Sequence, residues 1–343
     1  MNFTSDNAYG ADPAIATALC NNATGTAAPY GNDDFTAGVN RQLSDTFAHE
    51  VIAFPVITGT AANALALSTL CPPYGAILCH ADSHIAADEC GAPEFFSHGA
   101  KIIGLEGKDG KITPDAVEAW IKKLRPGVHS PKPSVLSITQ LTEAGTVYQP
   151  DEIARLAETA RKYGMSLHID GARFANALAS LGCEPADISW RAGADAVSFG
   201  ATKNGAIGAE AVLFFGRAHI SEFEYRRKKS GHLLSKMRFI SVQFAAYLDG
   251  DRWIENARRA NSLAALLADG LTATGKVTIV HPVEGNIIFA ILPVSMARQL
   301  RASGALFYDV FPAQGDLILT RFVTSFSMPS EHVEQFIRLL ASC

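Results

Sequence analysis

The chain has 343 residues, of which 48% are hydrophobic and 18% are charged. This balance excludes an intrinsically disordered protein, which combines low hydrophobicity with high net charge, and the length is enough for one large and one small domain. The 29 basic and 34 acidic residues give a net charge of -5, so we expect no nucleic-acid partner held by general electrostatic attraction. No apolar run approaches the roughly 18 residues that cross a bilayer, so we expect no membrane partner.

The start of the sequence and its cysteines favour a cytoplasmic protein. The first residues lack the basic and apolar segments of a secretory signal. No C-x-x-C pair occurs, and scattered cysteines of this kind are typical of reduced thiols rather than of a disulfide framework. The six cysteines are Cys20, Cys71, Cys79, Cys90, Cys183 and Cys343.

Short β-branched or apolar runs alternate with longer helical stretches in the first part of the chain. The predicted strands lie at 51–55, 76–79, 101–105, 134–139, 166–169, 196–199 and 211–215. The predicted helices between them lie at 61–70, 113–124, 150–163 and 173–181. This alternation is typical of βαβ units, so we predict an α/β fold with a mostly parallel sheet covered by helices on both faces.

The pattern changes near residues 237–252. A long helix at 253–271 is followed by strands at 276–281 and 287–292, a helix at 295–303, strands at 305–310 and 317–322, and a closing helix from Glu331. These elements predict a smaller α+β unit. We therefore divide the chain into an irregular N-terminal arm (1–15), a large domain (16–245) and a small C-terminal domain (246–343).

Three clusters of chemically useful residues follow predicted strands. In the first, Thr58, Gly59 and Thr60 open a helix. Small residues there let backbone N–H groups approach an anion, which the helix dipole favours, and Thr60 adds a hydroxyl donor. The cluster therefore predicts a phosphate cradle; an ordinary strand-to-helix turn with a threonine cap is the structural alternative.

The second cluster is the D-G-A-R sequence at 170–173. An acid at the carboxyl end of a buried strand lies where α/β sheets build ligand sites, and Arg173 is close enough in sequence to point to the same side as Asp170. The alternative is an Asp170 that caps the next helix while Arg173 forms a surface ion pair.

The third cluster places Lys203 among small residues after the strand at 196–199. An amine at such a position can form a Schiff base when desolvation or a neighbouring charge lowers its pKa. A lone lysine in a glycine-rich loop is more often simply solvated. Together, however, the three clusters supply an anion cradle, an acid for a pyridinium nitrogen and a lysine for an aldehyde, which are the needs of pyridoxal phosphate.

The sequence resembles the fold-type-I pyridoxal-phosphate enzymes, and more narrowly the low-specificity L-threonine aldolase branch of the beta-eliminating lyase and threonine aldolase family. The resemblance covers nearly the whole chain. The matching parts are the F-T-S-D-N sequence at 3–7, Y-G-N-D-D at 30–34, residues 58–63, His84 with Glu89, residues 168–173, Thr202 with Lys203, and Arg321. It implies a large domain with the pyridoxal-phosphate transferase fold and a small C-terminal domain.

The resemblance also implies a role for each cofactor residue. Lys203 forms the Schiff base with the cofactor and is catalytic. Asp170 keeps the pyridinium nitrogen protonated, so that the ring accepts electrons. Gly59 and Thr60 bind the phosphate, and Arg173 lies near the phenolic oxygen of the cofactor or the carboxylate of the substrate.

Three further residues complete the site that the resemblance implies. Ser5 and Arg321 clamp the substrate carboxylate, for which a bidentate Arg is suited. His84 stacks on the cofactor ring close to the substrate β-hydroxyl and is the candidate base. His80 and His84 also invite a metal site, but His80 directly follows a strand, so helical spacing is not expected and we predict no metal.

Two segments leave finer questions open. Many relatives carry an Asn-Thr-His run where this chain reads Q-L-T-E-A at 140–144, which puts the preferred substrate side chain, rather than the reaction type, in question. The basic segment at 226–229 is either a solvated face or, as in relatives, a segment near the cofactor phosphate of the neighbouring subunit. The resemblance implies a homodimer or homotetramer whose active sites are shared across the dimer interface.

The expected reaction is retro-aldol cleavage of a small-molecule amino acid, such as L-threonine, L-allo-threonine or phenylserine, to glycine and an aldehyde. A pyridoxal-phosphate-dependent aminotransferase would share Lys203 and Asp170, and a β-eliminating lyase would expel a leaving group instead of breaking Cα–Cβ. A relative that uses the site only for binding is the non-enzymatic alternative, against which the presence of Lys203, Asp170, Arg173 and Arg321 together argues.

Overall fold

The computed structural model describes residues 1–218 and 220–342. Cys343, one of the cysteines expected to be reduced, lies outside the described residues. The other five cysteines are free thiols, as the sequence predicts. Within the described residues, no helix combines the length and apolar character needed to cross a membrane.

A sheet of seven strands forms the centre of the larger part of the molecule. The strands are β1 (Ile52–Val56), β2 (Gly75–His80), β3 (Lys101–Leu105), β4 (Lys132–Thr139), β5 (Ser166–Gly171), β6 (Ala196–Gly200) and β7 (Glu210–Phe214). Their order is β1-β7-β6-β5-β4-β2-β3. Strands β6, β5, β4, β2 and β3 are parallel, and β7 is antiparallel to both neighbours. The predicted α/β fold with a mostly parallel sheet is confirmed.

Helices cover this sheet. They are α1 (Pro13–Asn21), α2 (Asp34–Thr46), α3 (Gly59–Leu70), α4 (His84–Ala87), α5 (Ala92–Phe96), α6 (Pro114–Ile121), α7 (Pro150–Lys162), α8 (Phe174–Leu181), α9 (Ile220–Lys229) and α10 (Arg238–Tyr247). Local sequence explains several starts: Thr58 and Thr113 cap α3 and α6 through their hydroxyls, and Gln149 with Glu152 forms a capping box on α7. Helix α3 is buried on almost every side, so it is the central helix of this layer.

The C-terminal part has its own sheet and core. Its elements are α11 (Arg252–Ala273), β8 (Thr278–Ile279), β9 (Ile287–Pro293), α12 (Val294–Ala302), β10 (Tyr308–Asp309), β11 (Leu317–Val323) and α13 (Ser330–Ala341). The strands form an antiparallel sheet in the order β10-β11-β9-β8. The predicted boundary near residue 245 falls within α10, and α11 packs against both α8 and α13; the division into domains stays a prediction.

The N-terminal arm is more ordered than expected, and it changes the strand predicted at 305–310. The Phe3 N–H donates to the Leu306 carbonyl at 2.7 Å, and the Leu306 N–H donates to the Met1 carbonyl at 2.9 Å. The backbone of Leu306 pairs with the arm, and the strand begins at Tyr308 instead; Tyr308 and Asp309 pair with β11, and the Val310 N–H donates to the Leu319 carbonyl at 2.9 Å. The arm ends at Pro13, where α1 begins behind an Asp12 cap.

The carboxyl ends of the parallel strands meet at one edge of the large sheet, as they do in α/β proteins that bind ligands there. The predicted site residues of the large domain lie at or just after such ends: His84 follows β2, Asp170 is the last residue but one of β5, and Lys203 follows β6. Strand β1 ends at Val56, just before the Thr58 cap of α3. The fold therefore gathers the three sequence clusters at one place.

Candidate active site

The N-terminus of α3 opens into a cavity of about 380 Å³. Thr58, Gly59 and Thr60 line this cavity together with His84 and Lys203. The Ala61 N–H donates to the Thr58 hydroxyl at 3.2 Å, and a Cβ built at Gly59 would meet no atom within 4 Å. An accessible helix N-terminus with open space above a glycine fits an anion such as a phosphate.

Lys203 enters the same cavity from a single 3-10 turn that follows β6. Two hydrogen bonds hold this turn in place: the Asn204 amide donates to the Tyr247 hydroxyl at 2.9 Å and to the Trp253 carbonyl at 2.7 Å. Desolvation and the nearby Arg173 guanidinium lower the pKa of Lys203. A lowered pKa favours the free amine, which is the nucleophilic form.

Asp170 is buried at the end of β5 and is held in a fixed orientation. Its Oδ1 accepts a hydrogen bond from the Ala172 N–H at 3.0 Å, and its Oδ2 accepts one from the Asn63 amide at 2.8 Å. The same Asn63 nitrogen donates to Glu89 Oε1 at 2.8 Å. Asn63 on α3 thus links two carboxylates, a role that the sequence analysis did not assign to it.

Glu89 in turn contacts the His84 ring, since its Oε1 lies 2.7 Å from His84 Nδ1. This hydrogen bond raises the pKa of His84, and burial raises the pKa of Glu89. Atoms of His84, Glu89 and Asp170 all lie within 4.8 Å of one another, close enough to hold a cation. The Asn63 amide already donates to both carboxylates, so this cluster is explained by hydrogen bonds alone.

The pair of histidines considered as a metal site is not brought together. His80 Nε2 faces the Gly107 carbonyl at 3.0 Å, and His80 Nδ1 accepts the Asp82 N–H at 3.1 Å. Both nitrogens of His80 therefore contact backbone, whereas His84 Nδ1 contacts Glu89.

Arg173 is held by Asp6 of the N-terminal arm. The sequence identifies Asp6 only as part of the F-T-S-D-N motif at 3–7 and does not predict this contact. Arg173 Nε donates to Asp6 Oδ2 at 2.7 Å, and its NH2 nitrogen donates to Asp6 Oδ1 at 3.1 Å. Burial by itself would raise the pKa of Asp6, but Arg173 and Lys203 outweigh it and lower that pKa. Ser5 itself caps the following 3-10 turn, because its hydroxyl accepts the Asn7 N–H at 3.1 Å.

Arg321 extends from β11 of the small domain toward the same region. Its NH2 nitrogen donates to the Thr4 carbonyl at 3.4 Å, and its buried Nε has no hydrogen-bond partner among the residues that the structure describes. Its guanidinium carbon lies 5.5 Å from the centre of the Tyr308 ring. Burial and the positive charge of Arg173 lower the pKa of Arg321. Two neighbouring guanidinium groups, one with a free donor, form a site suited to a carboxylate.

Two buried glutamates near the cavity were not singled out by the sequence analysis as site residues. Glu210 lines the cavity beside Lys203, and burial raises its pKa to about 7. Glu143 follows β4 in the segment where this chain departs from many relatives, and it accepts the His84 N–H at 2.7 Å. Burial and the negative Asp170 raise the pKa of Glu143. No motif marks these residues, because their position depends on the packing of distant segments.

The basic segment at 226–229 is only partly a solvated face. Arg226 pairs with Glu222 and also donates to the Phe96 carbonyl at 3.3 Å. Arg227 is buried and donates to the Pro55 carbonyl at 2.8 Å. Lys228 lies over the Tyr30 ring, 4.8 Å from its centre.

These features fit pyridoxal phosphate. The open N-terminus of α3 suits the phosphate, the fixed Asp170 carboxylate suits the ring nitrogen, and the desolvated Lys203 amine suits the aldehyde. The site would hold the cofactor through residues of the large domain, with Arg321 of the small domain left for the substrate.

Comparisons with known proteins agree with this site. The Beta-eliminating lyase family matches residues 2–294. The chain is 41% identical to the low specificity L-threonine aldolase of Pseudomonas aeruginosa, with 98% of this chain and 96% of that protein covered. It is 40% identical to the low specificity L-threonine aldolase of Pseudomonas sp. (strain NCIMB 10558), with 97% and 95% covered.

A solved structure of Leishmania major threonine aldolase superposes with a TM-score of 0.95 at 27% identity, over 99% of this chain and 98% of that chain. The matched residues of the family include every candidate residue of the large domain. The resemblance expected from the sequence is confirmed, and the chain belongs to the beta-eliminating lyase family of fold-type-I pyridoxal-phosphate enzymes, within its threonine aldolase branch.

Proposed function

We propose that this protein is a pyridoxal-phosphate-dependent aldolase that cleaves L-threonine, L-allo-threonine or related β-hydroxy-α-amino acids, such as phenylserine, to glycine and an aldehyde. One observation carries the proposal: the open N-terminus of α3, the Asp170 carboxylate and the Lys203 amine converge on one side of the sheet beside two guanidinium groups. The names of the Pseudomonas relatives support the same reaction.

When bound, pyridoxal phosphate supplies an electron sink for a bond that breaks at the substrate Cα. Lys203 provides the amine that attaches the cofactor aldehyde, and its lowered pKa keeps that amine nucleophilic. Asp170 holds the proton on the ring nitrogen, and Asn63 keeps its carboxylate in place. Gly59 and Thr60 bind the phosphate at the N-terminus of α3.

The substrate carboxylate is bound by Arg321 and Arg173, with Ser5 of the arm beside them. Arg321 offers its unpaired Nε as a donor, and Asp6 fixes the Arg173 guanidinium with two hydrogen bonds. A carboxylate held in one orientation would fix how the bonds of Cα are presented to the bound cofactor. The clamp would therefore determine which bond of Cα breaks, and in the proposed reaction this bond is Cα–Cβ.

His84 lines the cofactor cavity, where its imidazole would stack on the ring of a bound cofactor and lie close to the β-hydroxyl of the substrate. Glu89 fixes the ring through Nδ1, so Nε2 is the atom available to the substrate. Because the contact with Glu89 raises the pKa of His84, the ring is suited to donate a hydrogen bond to the β-oxygen.

Assembly and location extend this proposal. We propose a homodimer or homotetramer that shares active sites across the dimer interface, in which the segment at 226–229 lies near the phosphate of the neighbouring subunit. A small-molecule amino acid is the substrate, and a cytoplasmic location is the expectation from the sequence.

One experiment tests the function. The holoenzyme is mixed with L-threonine, L-allo-threonine, β-phenylserine and an oxo acid while its visible absorption is recorded. Aldehyde and glycine released in equal amounts support the aldolase. Consumption of the oxo acid would instead identify an aminotransferase, and ammonia with an oxo acid product would identify a β-eliminating lyase. Borohydride reduction followed by peptide mapping should find the cofactor on Lys203; labelling of Lys228, Lys229 or Lys236 would contradict the assignment.

A further inference from the structure

A second cavity of about 530 Å³ lies between the two sheets. It is linked to the cofactor cavity through one contact, because Glu143, which lines the second cavity, accepts the N–H of His84, which lines the first. Arg321 also lines the second cavity, and the aromatic side chains of Phe289, Tyr308 and Phe311 form an apolar wall. Tyr308 and Phe311 are largely exposed. The cavity therefore combines a residue of the carboxylate clamp with an apolar wall from the small domain.

Glu143 has one carboxyl oxygen that is held and one that is free. Its Oε1 accepts the His84 N–H at 2.7 Å and the Thr139 hydroxyl at 3.0 Å. Its Oε2 is buried and has no partner among the described residues. A buried carboxyl oxygen without a donor is costly unless a ligand supplies one. The free oxygen of Glu143 therefore needs a donor that the chain itself does not provide.

The proposed substrate supplies such a donor in the correct region. Glu143 contacts the backbone of His84 and shares its cavity with Arg321. A substrate with its carboxylate on Arg321 and its Cα next to Lys203 would therefore have His84 and Glu143 as neighbours of its β-carbon. Its β-hydroxyl would then be the donor for the free oxygen of Glu143.

We propose that Glu143 is the base that takes the β-hydroxyl proton, and that the second cavity receives the substituent on the β-carbon. The inference rests on the proposed aldolase function. As Cα–Cβ breaks, the O–H proton moves to Glu143 Oε2, the O–H electron pair forms the C=O bond of the aldehyde, and the Cα–Cβ pair stays with the cofactor-bound carbon. A proton from solvent then completes glycine at that carbon, and Glu143 returns its own proton to solvent, so the overall reaction neither gains nor loses a proton.

The contacts of the two candidate bases favour Glu143 over His84, which the sequence analysis named. His84 Nδ1 is bonded to Glu89, and this bond makes the ring retain its proton. Burial and the negative Asp170 raise the pKa of Glu143 toward neutrality, where a carboxylate is a stronger base. The charged and titratable groups around Glu143 are Cys79, His80, Asp82, His84, Asp88, Asp109, Tyr148, Asp170, His281, Tyr308, Asp309 and Arg321.

The test compares Glu143→Gln with the wild-type holoenzyme. A glutamine Oε1 can still accept both hydrogen bonds from His84 and Thr139, so the fold is preserved while the base is removed. We expect kcat for L-threonine to fall at least about 100-fold, the lower end of what a positioned base provides, with KM nearly unchanged. The acidic limb of the wild-type pH profile, where activity falls as Glu143 gains a proton, should disappear.

Exchange of the glycine α-proton with D2O, followed by NMR, isolates this role. The exchange needs the bound cofactor and Lys203 but no β-hydroxyl, so Glu143→Gln should keep it within about threefold of wild type. Glu284→Gln is the matched control. Glu284 Oε2 accepts the N–H of Val147, which lies on the same loop as Glu143, at 2.8 Å, and Glu284 does not line the cavity. This variant should keep both reactions.

Two outcomes would overturn the inference. Cleavage by Glu143→Gln near the wild-type rate, with the acidic limb intact, would assign the proton to another group. An equal loss of cleavage and of glycine exchange would show that Glu143 supports the cofactor site as a whole rather than taking the β-hydroxyl proton. A wild-type enzyme that exchanges glycine protons but cleaves no β-hydroxy amino acid would instead contradict the proposed function, which separates the two failures.

Discussion

In the proposed mechanism, Asp170 is the residue through which α3 and β5 act together on the cofactor ring. Its Oδ2 is oriented by Asn63 and its Oδ1 by the backbone of Ala172. An Asp170→Asn side chain keeps the size of Asp170 and one of its two accepted hydrogen bonds, because an amide has a single acceptor oxygen, but this neutral amide no longer stabilises a proton on the ring nitrogen. The substitution therefore separates the position of the side chain from its charge.

For Asp170→Asn we expect kcat to fall by at least about two orders of magnitude, or about 3 kcal/mol, because the electron sink is weakened in the transition state. KM should change much less. Steady-state kinetics with L-threonine test this, and the visible absorption of the bound cofactor controls for its loss. A variant with near-normal kcat would mean that a different residue faces the ring nitrogen.

Arg321 offers a second test at the residue scale. Its planar fork with a free Nε suits a carboxylate, whereas a lysine keeps the charge but loses the second donor. We expect Arg321→Lys to raise KM at least about tenfold while cofactor binding persists, because the phosphate cradle lies in the large domain. Arg338→Lys is the control, since Arg338 is exposed on α13 and pairs only loosely with Glu334, at 3.8 Å. Loss of cofactor with unchanged KM would assign Arg321 to the wrong ligand.

The sequence identifies Lys203, Asp170 and Arg173 because each is a charged residue in a short cluster that follows a predicted strand. It does not identify Asn63, Asp6 or Glu143 as site residues. Asn63 reaches Asp170 across 107 positions, and Asp6 reaches Arg173 across 167. Contacts of this kind depend on how α3 and the arm pack, which no local pattern of residue types encodes.

At the scale of elements, three adjacent strands of the large sheet are joined through one buried imidazole. His168 on β5 lies 2.9 Å from the Ser137 hydroxyl on β4 through Nδ1, and 2.9 Å from the Ser198 hydroxyl on β6 through Nε2. Burial lowers the pKa of His168 to about 4. The imidazole is therefore neutral in the folded protein, one nitrogen donating and the other accepting.

This pKa predicts acid sensitivity of the fold. Between pH 6.5 and about 4 the unfolded chain binds a proton at His168 that the folded chain does not bind. Stability therefore falls as the pH drops through this window, by about 3 kcal/mol over its full width. Urea unfolding at several pH values should show a flatter dependence in His168→Gln than in wild type. His129→Gln, on an exposed turn, should keep the wild-type slope; equal slopes in all three proteins would contradict the role of His168.

The elements that the sequence predicts correctly are those with strong periodicity. Predicted strands match β1 to β7 within two residues at each end, because buried parallel strands read as short apolar runs. Helices α1 and α2 were not predicted. Helix α1 buries only Ile15, and α2 contains Gly38 and Asn40, which have low helix propensity. Their position depends on packing against α10 rather than on their own pattern.

At the scale of the whole molecule, the N-terminal arm connects the two parts that form the site. Phe3 is fully buried in the core of the small domain, with its ring 4.9 Å from that of Phe336 and 6.1 Å from that of Phe322. Three residues later, Asp6 binds Arg173 beside α8 of the large domain. The sequence predicts the arm but not this function, because a single phenylalanine in an irregular segment gives no periodic signal.

Phe3→Ala should therefore affect both stability and substrate binding. Removing a fully buried ring costs about 3–5 kcal/mol of unfolding free energy. Because the cavity loosens the arm, Asp6 should hold Arg173 less firmly, so KM for the amino acid should rise while cofactor content stays near normal. Urea unfolding, steady-state kinetics and the cofactor absorption measure the three effects on the same preparation.

The control for this prediction is Phe95→Ala, because Phe95 is 76% exposed on α5. Its loss should change the unfolding free energy by no more than about 0.5 kcal/mol, as for most surface substitutions. A Phe3→Ala protein that loses stability but keeps the wild-type KM would show that the arm only covers the small-domain core. A rise in KM that Asp6→Asn reproduces without the loss of stability would show that the arm acts on the site through the contact between Asp6 and Arg173.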